Sequence, residues 1–120
     1  MSARVKKLTS VLEELEKNCE ITNSAIVTEK GQMVAHSLHE GVDEKSVSAM
    51  GAAILSIGNR VGTVLSAGNP KAIMINGTES IVILRHIGKM VLISLAPKDA
   101  KVGLIDFELE KASEQIEGLL

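Results

Sequence analysis

Val5, Leu8, Leu12 and Leu15 recur at intervals of three and four with charged residues between them. That is the spacing of one face of an amphipathic helix, α1, which ends near Asn18. The period then shortens. "SAIVTEKGQMVAHS" contains two strand-like runs, β1 (Ser24–Thr28) and β2 (Gln32–Ser37), joined through Glu29-Lys30-Gly31 as a hairpin. "LHEGV" reads as a loop, and Asp43 as the N-cap of a second helix, α2, which carries Val47–Leu65. Gly68 suits a left-handed position after that helix, and Pro70 cannot continue it. Three strands follow, β3 (Lys71–Ile75), β4 (Ser80–Ile87) and β5 (Met90–Leu95). Asn76-Gly77 suits a turn with positive φ at both central residues, and Gly88-Lys89 a turn with glycine first. The last segment sets Val102, Ile105, Leu109, Ala112, Ile116 and Leu119 on one stripe of a third helix, α3.

"IVILRHI" and "MVLIS" are apolar at nearly every position. A strand with one buried face alternates, so this continuity predicts helices on both sides of the sheet. The order α-β-β-α-β-β-β-α fills residues 1–120 as one α+β domain with no linker, repeat or low-complexity tract.

On a 3.6-residue wheel, α2 gathers Val47, Met50, Ile54, Ile57, Val61, Val64 and Leu65 on one face, which is expected to be its core face. Gly51, Gly58 and Gly62 fall at the margin of that face and should let the helix approach the sheet closely. The opposite face carries Ser48, Ala49, Ala52, Ala53, Ser56, Asn59, Arg60 and Thr63, with Arg60 its one charge. Solvent-facing positions on α1 and α3 carry Lys and Glu. The small, uncharged α2 face therefore suggests contact with another protein.

Composition narrows the chemistry. One aromatic residue, Phe107, leaves an aliphatic core, and 13 basic against 15 acidic residues argue against a dedicated nucleic-acid binder. Cys19 is the sole cysteine, so no intrachain disulfide forms, and a reducing cytoplasm is the natural setting. It reads as a small buried residue rather than a reactive thiol. Val47–Leu65 is long enough to span a bilayer, but a central Arg60 opposes insertion. "GNRVGT" lacks the Gly-Lys-Ser/Thr ending of a phosphate loop and sits in a helix. His36, His39 and His86 do not have the spacing of a zinc site with Cys19. No catalytic residues, metal ligands or cofactor are expected.

The strand-turn-strand "SAIVTEKGQMVAHS", the alanine-rich "MGAAILSIGNRVG" helix and the late block "ESIVILRHIGKMVLISLAPKDAKVGLIDFELEKASEQI", with Gly103 shortly before its helix, together resemble the roadblock / dynein light-chain domain family, especially its free-standing prokaryotic members. The resemblance covers nearly the whole chain. It implies a five-stranded antiparallel sheet in the order 2-1-5-4-3, with α2 on one face and α1 plus α3 on the other. It also implies a dimer in which β3 pairs with its copy and the α2 helices lie side by side, forming a platform for small Ras-like GTPases. Carried onto this chain, the dimer edge is Lys71, Ala72, Ile73, Met74 and Ile75. The α2 contacts are Ala49, Ala52, Ala53, Ser56, Asn59, Arg60 and Thr63. The function expected from the resemblance is that of a cytoplasmic homodimeric regulator or scaffold for such a GTPase. The alternative is a non-regulatory dimerisation adaptor in a motor- or membrane-associated assembly.

Overall fold

Two local caps begin the helices where the pattern requires. Ser2 Oγ accepts from the Val5 amide at 3.1 Å, opening α1 (Ala3–Asn18). Asp43 accepts from the Lys45 amide at 3.3 Å and from the Ser46 hydroxyl at 2.6 Å, opening α2 (Glu44–Val64). These hydrogen bonds, the Ser46 hydroxyl foremost, hold its carboxyl below the usual Asp range. The remaining elements are β1 (Asn23–Thr28), β2 (Met33–Ser37), β3 (Ala72–Asn76), β4 (Ser80–Ile87), β5 (Met90–Pro97) and α3 (Val102–Gly118), in a computed structural model that describes residues 2–120.

The five strands form one antiparallel sheet in the order β2-β1-β5-β4-β3. α1 and α3 pack together against one face, and α2 crosses the other, so the two-sided cover expected of β4 and β5 is present. The layers are unequal. Leu8, Leu12, Ile105, Leu109 and Ile116 from α1 and α3 meet Ile26, Ile83 and Leu92 in the main core. Beneath α2 the fully buried cluster holds only Val27, Leu84 and Val91 from the strands and Leu55 from the helix.

The expected core face of α2 is not the buried one. Ser48, Gly51, Leu55 and Gly62 are buried instead, Gly51 and Leu55 over the strands, Ser48 beside the β1–β2 turn and Gly62 beneath the turn that follows the helix, while Met50, Ile57 and Val61 are more than half exposed. The helix is rotated so that its least bulky line meets the strands. A Cβ at Gly51 would lie 3.2 Å from Val27 Cγ2, and one at Gly58 2.5 Å from Ile73 Cδ1. One at Gly62 would collide with the Gly68 carbonyl. Removing side chains lets the backbone sit down on the sheet, and the apolar stripe is turned sideways as a result.

Two turn expectations also change. Ser66, not Gly68, follows the α2 C-cap in the left-handed region (φ 57°). Its amide donates to the Thr63 carbonyl at 3.2 Å and the Ala67 amide to the Gly62 carbonyl at 2.7 Å, a complete Schellman closure on a non-glycine residue. Gly68 (φ 82°) turns the chain again, two residues later. Asn76-Gly77 is not a tight positive-φ turn, since neither residue has positive φ and residues 77–79 join β3 to β4. Gly77 is small for another reason: a Cβ there would come 2.7 Å from the Ser80 carbonyl oxygen. Gly88 does take positive φ (59°), as the β4–β5 turn requires. Gly103 lies inside the first turn of α3 rather than before it, and Lys71 just precedes β3.

These backbone features predict opposite effects from two neighbouring substitutions. Ser66→Gly relieves a left-handed serine and should raise stability by about 0.5–1 kcal/mol. Gly62→Ala forces the helix off the Gly68 carbonyl and should lower it by about 1–3 kcal/mol. Urea unfolding monitored by circular dichroism measures both, and a Gly62→Ala midpoint at or above the parent value would contradict the close-approach account.

Candidate functional site: the α2 ridge and the open β3 edge

α2 presents three faces. One is the buried line on the sheet. The second is the aliphatic ridge, where Met50 is 54% exposed, Ile57 60%, Val61 51% and Val64 79%, a degree of exposure that no core packing accounts for. Ile54 is half-buried at its foot. The third is the small-residue face, with Ala49, Ala53, Ser56, Arg60 and Thr63 all exposed. Ala52 and Asn59 are half-buried at its border with the sheet. The smallness of Ala52 has an internal cause: the β1–β2 turn passes beside it, and a Cβ at Gly31 would lie 3.8 Å from Ala52 Cβ. Thr63 Oγ1 donates to the Asn59 carbonyl at 3.0 Å, which satisfies one polar group on that face. Arg60 has no carboxylate within 4.0 Å among the described residues.

β3 lies next to the ridge. It pairs with β4 from Ala72↔Arg85 to Asn76↔Ile81, and it ends the sheet. Its outer hydrogen-bonding edge is open, a short apolar strand edge of the kind that soluble proteins normally cover. Strand alternation divides its side chains. Ile73 and Ile75 face the α2 layer, Ile73 half-buried and Ile75 exposed. Ala72 and Met74 face the α1/α3 side and are exposed there, as is Lys71. Between ridge and sheet runs a cleft of about 270 Å³ lined by Val47, Met50, Ile54, Ile75, Val82 and Ile93, among others. α2 thus crosses the sheet and leaves the apolar surface near β3 uncovered.

The predicted contact residues therefore fall into two groups that do not share a surface. The α2 set faces outward from the sheet, and the β3 set borders the cleft and its edge. What the residue pattern missed is the ridge between them, Met50, Ile57, Val61, Val64 and Leu65, which it assigned to the core. One signal was available. Three glycines at intervals of seven and four mark a contact line, and a contact line marks the buried side of a helix.

Other reactive groups are arranged for structure. His36 Nε2 lies 3.0 Å from Glu44 Oε1, His39 Nε2 3.0 Å from Glu16 Oε1, and His86 Nε2 3.5 Å from Glu29 Oε1. Each pair ties two different elements. Ser37, His39 and Glu16 meet at one end of α1, yet they do not form a proton relay. A relay needs one imidazole nitrogen for the carboxylate and the other for the hydroxyl. Here the same Nε2 faces both Glu16 oxygens at 3.0 Å and the Ser37 hydroxyl at 3.5 Å, and that hydroxyl already donates to Glu16. No group of three His, Cys, Asp or Glu side chains among the described residues is placed to hold a metal ion. Cys19 is half-buried and donates to the Leu15 carbonyl, and burial pushes its thiol pKa up, which disfavours the thiolate. No described helix is long and apolar enough to cross a membrane, α2 included.

Comparison with known proteins places this geometry. The chain is 28% identical over 109 residues to the uncharacterized protein MJ1340 of Methanocaldococcus jannaschii, covering 91% of this chain and 96% of that one. Its fold superposes on MglB of Myxococcus xanthus with a TM-score of 0.89 at 16% identity, over 94% of each chain. It superposes on the gliding protein MglB of Thermus thermophilus with a TM-score of 0.87 at 15% identity, over 99% of this chain and 92% of that one. The Roadblock/LC7 domain profile matches residues 7–96, from the second turn of α1 to the end of β5, and the chain belongs to the Roadblock/LC7 domain family.

Proposed function

We propose that this protein is a cytoplasmic homodimer that regulates or scaffolds a small Ras-like GTPase and has no catalysis of its own. Family membership supports the kind of function, and the division of α2 into two exposed faces supports the arrangement. The observation that carries the reading is the run of exposed aliphatic side chains beside an unpaired edge strand.

A second copy meets both needs at once. Antiparallel pairing of β3 with its copy satisfies the open backbone edge and extends the sheet across a two-fold axis. The same rotation brings two aliphatic ridges together over the cleft. Full burial of a Val, Leu, Ile or Met side chain contributes about 1.5–3 kcal/mol, so the ridge is the main source of affinity. The dimer contacts in this arrangement are Ile73 and Ile75 with Met50, Ile57 and Val61, together with the edge positions Lys71, Ala72 and Met74. The small-residue face then remains on the outside of the joined helices. Ala49, Ala53 and Ser56 would let a partner's surface approach closely, with Ala52, Asn59 and Thr63 at its border. Arg60 supplies the one charge. It lies mid-helix rather than on an extended loop, so its role is docking, not insertion into a GTPase active site.

Two measurements address this in turn. Light scattering at micromolar concentration should give about twice the chain mass of 12.7 kDa, and Val61→Asp should shift the protein to monomer with at least a tenfold weaker association. A parent protein that is monomeric there would remove the dimer. Ala53→Arg or Ser56→Arg should leave the dimer intact and abolish binding to a cognate Ras-like GTPase, read by titration calorimetry with GTP-analogue and GDP forms. Unchanged binding would take the small-residue face out of the interface. GTP turnover that is the same with and without this protein would assign the adaptor role instead.

A further inference from the structure

The formal charge of −2 conceals an uneven distribution. α1 ends, and α3 begins, at the end of the sheet where Glu20 accepts from the Lys101 amide at 3.0 Å. The two helices pack side by side in antiparallel fashion, so α1 starts where α3 finishes. That second end of the molecule also holds both tight hairpin turns. The Glu29 amide donates to the Lys89 carbonyl at 3.1 Å, joining the β1–β2 and β4–β5 turns, and Gly88 lies beside Leu120. Arg4, Lys6, Lys7, Lys30 and Lys89 are thereby gathered at one tip from three separate stretches of chain, and all five are exposed. Three side-chain carboxylates share the tip, Glu29, Glu114 and Glu117, and Glu29 is turned toward His86. The opposite end carries Glu16, Glu20, Glu40, Glu79 and Asp99 against Lys17, Lys98 and Lys101, so the two ends differ in sign.

The eight-residue strands β4 and β5 separate the ends by about 25 Å. That is some three Debye lengths at physiological salt, so a surface approaching the tip meets its local positive charge and not the chain's negative total. We propose that this tip docks the protein peripherally on an anionic lipid surface. Its shape favours lipid over nucleic acid. The tip is built of two turns and a helix start, with no projecting helix for a groove and no aromatic side chain for stacking, since the one aromatic residue, Phe107, lies on α3 nearer its beginning. A surface of exposed basic side chains, with the half-exposed Leu120 among them, suits an anionic bilayer. The proposal concerns a single chain and is independent of both the dimer and the GTPase.

Co-sedimentation of the full-length protein with vesicles tests it. Vesicles of phosphatidylcholine with about 30% phosphatidylglycerol should bind the protein at about 50 mM salt and release it as salt rises several-fold, whereas pure phosphatidylcholine should not bind it. Lys6→Glu with Lys89→Glu should weaken binding about tenfold or more. Lys98→Glu with Lys101→Glu makes the same change in net charge at the opposite end and should leave binding within about twofold. Circular dichroism confirms that both double variants fold. Absence of binding to anionic vesicles, equal binding to neutral ones, or equal loss in the two double variants overturns the proposal. Binding to duplex DNA that matches or exceeds binding to anionic vesicles overturns it in favour of a nucleic-acid surface.

Discussion

The seating of α2 on the sheet through its glycine line is the contact on which the rest of the molecule depends. At Gly51 and Gly58 the strand side chains of Val27 and Ile73 occupy the space a Cβ would need, and at Gly62 the chain's own backbone does. Such close approach leaves little rotational freedom. A turn of the helix in either direction would drive Ile54 or Asn59 into the strands, so the glycines fix which residues face outward. The exposed aliphatic ridge is the geometrical remainder of that choice.

The same seating explains why the two sides of the sheet differ so much. On the α1/α3 side, long aliphatic side chains from two helices interlock with three central strands, and this side can sustain the fold. On the α2 side a single leucine, Leu55, is contributed to the fully buried cluster. A helix held by backbone proximity covers a narrow strip. The sheet beyond it, toward Ile75 and Val82, stays open as a cleft. That cleft is the surface which the proposed second copy would cover.

Much of this was legible in the residues. The periods of α1 and α3, the doubly apolar β4 and β5, the Asp43 cap and the Gly88 turn each rest on interactions within a few residues, and each is found where the pattern puts it. The Asn76-Gly77 turn was misread and the left-handed Ser66 went unread because local turn preferences gave way. The Schellman closure needs its left-handed residue directly after Leu65, and the chain supplies serine there. The α2 ridge was misread for a different reason. Assigning the most hydrophobic stripe to the core assumes that one chain buries all it can, and here the glycine line takes the buried side and leaves that stripe exposed.

By itself, then, the amino-acid order determined the elements and their sequence, because hydrophobic period, caps and turn residues act over short distances, while the strand order of the sheet came from the family resemblance. It also marked α2 as unusual through its glycines and missing charges. Only the tertiary structure decided which way that helix faces and what gathers at the ends of the sheet. Both depend on atoms distant in the chain: Gly51 against Val27, Gly58 against Ile73, and Arg4 brought to the same tip as Lys89 by the antiparallel return of α1 and α3. Composition averages such arrangements away, and a net charge near zero is compatible with an end that carries a basic surplus.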